Sequence, residues 1–246
     1  AVENEKLGED TITDFLLIDF SSTDYVGHQF GVNSKEVQDT YIRLDKEIER
    51  LLDYFDNKVG PGNYTIFLTA DHGATGVPGF LKDSKIPVNY FDAYKWKKHI
   101  ESSVIELFKT KKIIVGNSNN QIFLNHNLIE KTNLNFEEVQ RKIIKIMQSF
   151  PGIANVYSSQ EILTSNNDHH TTLVRNGFNK NLSGDIVYTF MPNWKFPRKG
   201  STHGSMYDHD THVPLIFYGN GIKKGSISRR TDVIDIAPTI ATVLGI

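Results

Sequence analysis

The order of three segments near the start of the chain most constrains its fold. Residues 14–20 (DFLLIDF) and 64–68 (YTIFL) are near-continuous apolar runs bounded by polar residues. Between them, Val37, Tyr41, Leu44, Ile48, Leu51 and Phe55 recur at steps of three and four. The runs read as strands buried on both faces, and the periodic stretch reads as a helix. Strand, helix and strand in that order make a βαβ unit, in which the strands lie parallel. The expected class is therefore α/β, a mostly parallel sheet with flanking helices. Asn33 with Glu36 is the candidate capping box for the helix, and Gly60-Pro61-Gly62 ends it.

From about residue 87 to residue 175 the pattern changes. Residues 91–108 and 136–150 look helical, residues 113–125 form a hairpin around Asn117–Asn120, and residues 153–159 suit a short strand. This succession reads as a small α+β insert, 87–175, within a catalytic domain that occupies 1–246. After it, DIVYTFM and VPLIFYG return as apolar strands. A last helix starts near Asp232 or Asp235, with Pro238 in its first turn, where proline is tolerated.

Composition removes several function classes. Of the 246 residues, 39% are hydrophobic and 23% charged, a globular balance. A net charge of −2 argues against a general nucleic-acid binder, which is strongly basic. No apolar run reaches bilayer-spanning length. Cysteine is absent, which rules out thiolate metal sites, disulfides and cysteine nucleophiles and leaves the compartment open. The opening AVENEKLGED begins at Ala1 and carries no apolar signal core, so the sequence reads as a processed or cut part of a longer protein.

Three clusters carry chemistry. Asp24 and His28 follow the first apolar run, Asp71 and His72 follow the second, and His203 sits in Thr202-His203-Gly204 before VPLIFYG. In open parallel sheets, ligand sites lie beyond the carboxyl ends of the strands. Carboxylate and neutral imidazole suit a divalent ion such as zinc. Asp24, His28 and His203 supply three donors and leave a fourth position open. Asp71 and His72 suit a second ion about 3.5–4 Å away. Against this stands the ordinary role of each histidine as a hydrogen-bonded loop residue. His169 and His170 read as part of a solvated loop, His212 as a structural neighbour and reserve ligand, and Asp19 as an undecided strand residue.

Taken together, FSSTDYVGHQFG, TADHGA, STHGSMYDHDTHVPLIFYG and DIAPTIATVLGI resemble the alkaline phosphatase superfamily. The wording is most similar to secreted, single-chain bacterial alkaline phosphatases with a threonine nucleophile. The resemblance runs from about Asp14 to the end and is least clear in the insert. It implies an alkaline phosphatase-like fold, incomplete here, and two divalent ions, with zinc expected. Asp24, His28 and His203 would hold one ion, and Asp71 and His72 the other together with an upstream aspartate. The implied reaction is hydrolysis of phosphate monoesters through a phospho-enzyme, in the periplasm or outside the cell. The nucleophile motif lies upstream in the family. Thr171, Thr172, Ser201 and Thr202 are candidates by residue type only, and none matches that motif. A phosphodiesterase or phosphonate hydrolase, a non-catalytic metal-binding homologue, and a plain α/β domain are the competing readings.

Overall fold

A computed structural model describes residues 1–164, 168–196 and 199–245. In chain order these form α1 (Ser22–Phe30), α2 (Lys35–Lys58), β1 (Thr65–Thr69), α3 (Pro78–Asp83), α4 (Ala93–Phe108), β2 (Ile114–Ser118), β3 (Gln121–Leu124), α5 (His126–Lys131), α6 (Phe136–Gln148), β4 (Ile153–Ser158), α7 (Ser159–Thr164), α8 (His169–Asn176), β5 (Ile186–Phe190), α9 (Asp208–Thr211), β6 (Leu215–Gly219) and α10 (Ile236–Leu244). The chain divides into two compact units. The first holds Ala1–Gly73 with His212–Ile246, and the second Ala74–Thr211.

In the first unit, α2 follows the predicted periodicity. Its cap is Ser34 rather than Asn33, because the Ser34 hydroxyl accepts from the Val37 amide at 3.1 Å. The helix ends at Lys58, just before the expected stop, where Gly60 adopts φ +95°. Strands β1 and β6 form where apolar runs were read, but they pair antiparallel, with Thr65 opposite Gly219 and Thr69 opposite Leu215. Residues 14–20 form no strand among the described residues, and Phe15 and Leu17 are 64% and 82% exposed. An apolar run marks a segment suited to burial, but a strand exists only where another edge completes its hydrogen bonds. The parallel pairing expected from the βαβ order is therefore replaced by antiparallel pairing. Gly219 is required in its place. It has φ +110°, and a Cβ there would lie 2.2 Å from the carbonyl oxygen of Tyr64.

The second unit contains nearly all the buried apolar side chains. Four strands in the order β2-β3-β5-β4 are antiparallel throughout. The β2–β3 hairpin turns at Asn119 and Asn120, both at positive φ, as a type I′ turn requires. Helices α4 and α6 lay Trp96, Ile100, Val104, Val139, Ile143 and Met147 against Ile122, Ile186 and Tyr188 of the sheet. Asp185 fastens these layers. Its carboxylate accepts from the Leu124 amide at 2.7 Å and meets His126 Nε2 at 2.8 Å, while its carbonyl accepts from Gln140 Nε2. Strand β5, the predicted DIVYTFM run, belongs to this sheet.

Candidate metal centre

The segment after residue 20 is helix α1, and this gives the Asp-x3-His spacing its meaning. Residues four apart lie on one helix face. Asp24 Oδ2 and His28 Nε2 accordingly stand 3.3 Å apart, with side chains 40% and 28% exposed. Two donors on one tetrahedral ion, each about 2.0–2.1 Å from it, are separated by roughly 3.3 Å. The pair thus fits a shared ion as well as it fits an Asp–His ion pair. Asp24 lies in the first turn, where a carboxylate favours the positive end of the helix dipole, and Gly31 follows the last residue.

Asp71 and His72 leave the end of β1. Asp71 Oδ2 is 3.4 Å from His72 Nε2. Asp71 Oδ1 accepts the His72 amide at 3.0 Å, and His72 Nδ1 lies 2.9 Å from the Gly73 carbonyl oxygen. A backbone carbonyl on Nδ1 orients the ring, as is usual for a metal-binding histidine, and directs Nε2 to the side of the Asp71 carboxylate. Among the described residues, this pair belongs to no group of three or more close carboxylate and imidazole donors.

His203 lies in the second unit, half-buried, in the loop before α9. The Thr75 amide donates to the Thr202 carbonyl at 2.7 Å and fixes the start of this loop. Ser201 is 1% exposed. Asp210 Oδ2 accepts the Ser205 amide at 2.6 Å and closes the turn behind His203. His212, the reserve ligand, is exposed. Burial pushes the Tyr207 phenol above its usual pKa, and its hydroxyl donates to the Phe190 carbonyl at 2.9 Å.

The remaining candidates take local roles. Asp168 caps α8, accepting from the Thr171 amide at 2.9 Å and hydroxyl at 2.6 Å. His169 and His170 therefore begin a helix rather than lie in a loop, and Ser165, Asn166 and Asn167 of that stretch lie outside the described residues. The hydroxyl bond to Asp168 gives Thr171 a capping function. Asp19 Oδ2 accepts from the Ser21 hydroxyl at 2.6 Å, at the entry to α1.

The family profile described as type I phosphodiesterase / nucleotide pyrophosphatase matches residues 2–214. The chain belongs to this family. It is 36% identical over 249 residues to alkaline phosphatase PafA of Elizabethkingia meningoseptica, covering all of this chain and 45% of that protein. It is 40% identical over 252 residues to a Myroides odoratus protein named calcium-transporting ATPase, again covering the whole chain and 46% of the relative. The crystal structure of wild-type alkaline phosphatase PafA superposes with a TM-score of 0.92 at 36% identity, over 99% of this chain and 47% of that one. The chain thus spans a little under half the length of these relatives. The alkaline phosphatase-like fold and superfamily expected from the motifs are borne out. Among the described residues, no helix is long and apolar enough to cross a membrane.

Proposed function

We propose that this chain carries the metal-ligand portion of a zinc-dependent phosphate monoesterase that works in the periplasm or outside the cell. The 3.3 Å approach of Asp24 Oδ2 to His28 Nε2 carries the reading, because it has the spacing of two donors on one ion. Asp24, His28 and His203 are the proposed ligands of one ion. Asp71 and His72 are two ligands of a second, with His72 oriented by Gly73. Bound divalent ions supply charge neutralisation for the phosphoryl group and its attacking and leaving oxygens. The chain's own contribution is to hold the donors: α1 aligns the first pair, the turn after β1 the second, and the Asp210–Ser205 bond the His203 loop.

The relatives named alkaline phosphatases support monoester hydrolysis. The family description supports a second reading, hydrolysis of phosphodiesters. The two separate by measuring kcat/KM for an aryl phosphate and for the matching bis-aryl phosphate, using the complete polypeptide saturated with zinc. The monoester is expected to be faster by at least tenfold, and His203→Ala is expected to abolish both activities. Faster diester turnover would overturn the monoesterase assignment. Unchanged activity in His203→Ala would overturn the ligand assignment.

A further inference from the structure

Two asparagines in the chain are followed directly by glycine, in Asn176-Gly177 and Asn220-Gly221. Such a pair is reactive because glycine has no side chain to crowd its amide nitrogen, which then reaches the side-chain carbonyl carbon of the asparagine. The fold treats the two pairs differently. Asn176 is the last residue of α8, where the Gly177 amide donates to the Leu173 carbonyl at 3.3 Å and the Phe178 amide to the Arg175 carbonyl at 3.1 Å. The attacking nitrogen of that pair is held by the helix end. Asn220 and Gly221 instead form the exposed turn after β6. The Ile222 amide donates to the Gly219 carbonyl at 3.2 Å, and Gly221 has φ +74°, as the third residue of a type II turn requires. That bond closes the turn without using the Gly221 amide. The same turn fastens two strands. The Asn220 amide donates to the Tyr64 carbonyl at 2.8 Å, and the Thr65 hydroxyl donates to the Asn220 carbonyl at 2.9 Å. The corner has no slack, since a Cβ on Gly219 would lie 2.2 Å from the Tyr64 carbonyl oxygen.

We propose that Asn220 is a site of spontaneous deamidation, and that its conversion unfastens the end of β6 from the start of β1. The Gly221 nitrogen, having lost its proton to solvent, attacks Asn220 Cγ. The Cγ–Nδ2 bond breaks, Nδ2 leaves as ammonia, and a succinimide remains. Water then adds to one of the two ring carbonyls. Opening at the former side-chain carbonyl gives aspartate. Opening at the main-chain carbonyl gives isoaspartate, in which the chain continues through Cγ. The net change is one water consumed and one ammonia released, with no oxidant or reductant. Either product adds a negative charge. Isoaspartate also adds a methylene to the main chain inside the turn and converts the carbonyl that Thr65 holds into a free carboxylate. The tight corner at Gly219 cannot absorb that length, so the two bonds that tie Asn220 to Tyr64 and Thr65 give way. Strand β1 ends at Thr69 and leads into Asp71 and His72, so the strand that is loosened is the one that carries this pair.

The test is peptide mapping by mass spectrometry of the complete polypeptide held at mildly alkaline pH, with isoaspartate scored by enzymatic methylation of the peptides. Asn220 in the folded protein is expected to convert at least about tenfold faster than Asn176, because the Asn176 reaction waits for the helix end to open. In denaturant, where that protection is gone, the two are expected to convert within about threefold of each other. Equal rates in the folded protein, conversion of Asn220 only in denaturant, or a difference that persists in denaturant would overturn the site. Hydrogen exchange of the converted polypeptide is expected to quicken in β1 and to stay unchanged in the four-stranded sheet. Unaltered exchange in β1 would overturn the unfastening. No step needs metal or substrate, so these outcomes are independent of the phosphatase reading.

Discussion

The amide of Thr75 donates to the carbonyl of Thr202 at 2.7 Å. Both residues belong to the second unit, and Thr202 immediately precedes His203, so a backbone bond between residues far apart in sequence fixes the start of the loop that carries His203. Thr202→Pro leaves the accepting carbonyl in place and limits the conformations of Ser201 before it. It is expected to lower zinc affinity by about tenfold by displacing the His203 loop, as isothermal titration would measure.

Metal loading should be unequal. The site assigned to Asp24, His28 and His203 has three donors in this chain, whereas Asp71 and His72 have no third described donor close by. Zinc titration of the 246-residue chain should show at most one tight site, and His28→Ala should remove it. Two equally tight sites would contradict the assignment.

The nucleophile motif that the family resemblance implies has no match in these residues. The chain by itself, saturated with zinc, is expected to hydrolyse an aryl phosphate on the order of a million-fold more slowly than a polypeptide that also carries the motif. Turnover within about tenfold would place a nucleophile here, and Ser201 and Thr202 would be the first residues to substitute.

Tyr64 sets an alkaline limit on the first unit. Burial, reinforced by its hydrogen bond to Asp56 Oδ1 at 2.8 Å, raises its pKa from 10.0 to about 12. The folded state therefore holds this proton over a range where the unfolded chain has lost it. The associated stability is complete below pH 10.0 and is lost as pH rises toward about 12. Tyr64→Phe should flatten the fall in unfolding midpoint across that window. An unchanged slope would show that Tyr64 does not contribute.

Sheet β1–β6 has two strands, and its outer edges have no partner strand among the described residues. Ile216 and Tyr218 are about half exposed. Open edges with apolar side chains associate. Sedimentation of the chain should show concentration-dependent self-association that Ile216→Lys reduces. A strictly monomeric chain at high micromolar concentration would refute this.

The second unit has a different vulnerability. Ile143 is fully buried between α6 and the sheet. Ile143→Ala should cost about 2–5 kcal/mol, by lost apolar burial and the cavity left behind. Hydrogen exchange would locate the loss in α4, α6 and β5, and uniform loss over both units would contradict their separation.

The sequence by itself determined the elements whose signal is local. Periodicity placed α2, α4 and α6, the Asn117–Asn120 stretch placed the hairpin, and apolar runs placed β1, β5 and β6. It also placed the Asp24, His28, Asp71, His72 and His203 motifs, because residue type and spacing are written in the chain. Pairing was decided by tertiary structure. An apolar run states that a segment suits burial, but it does not name the edge it joins or the direction of that edge. For this reason β1 met β6 antiparallel, β5 joined the four-stranded sheet, and residues 14–20 formed no ladder. Helix α1 fell between the two cases. Its short polar sequence reads as a loop, yet only the helix places Asp24 and His28 on one face.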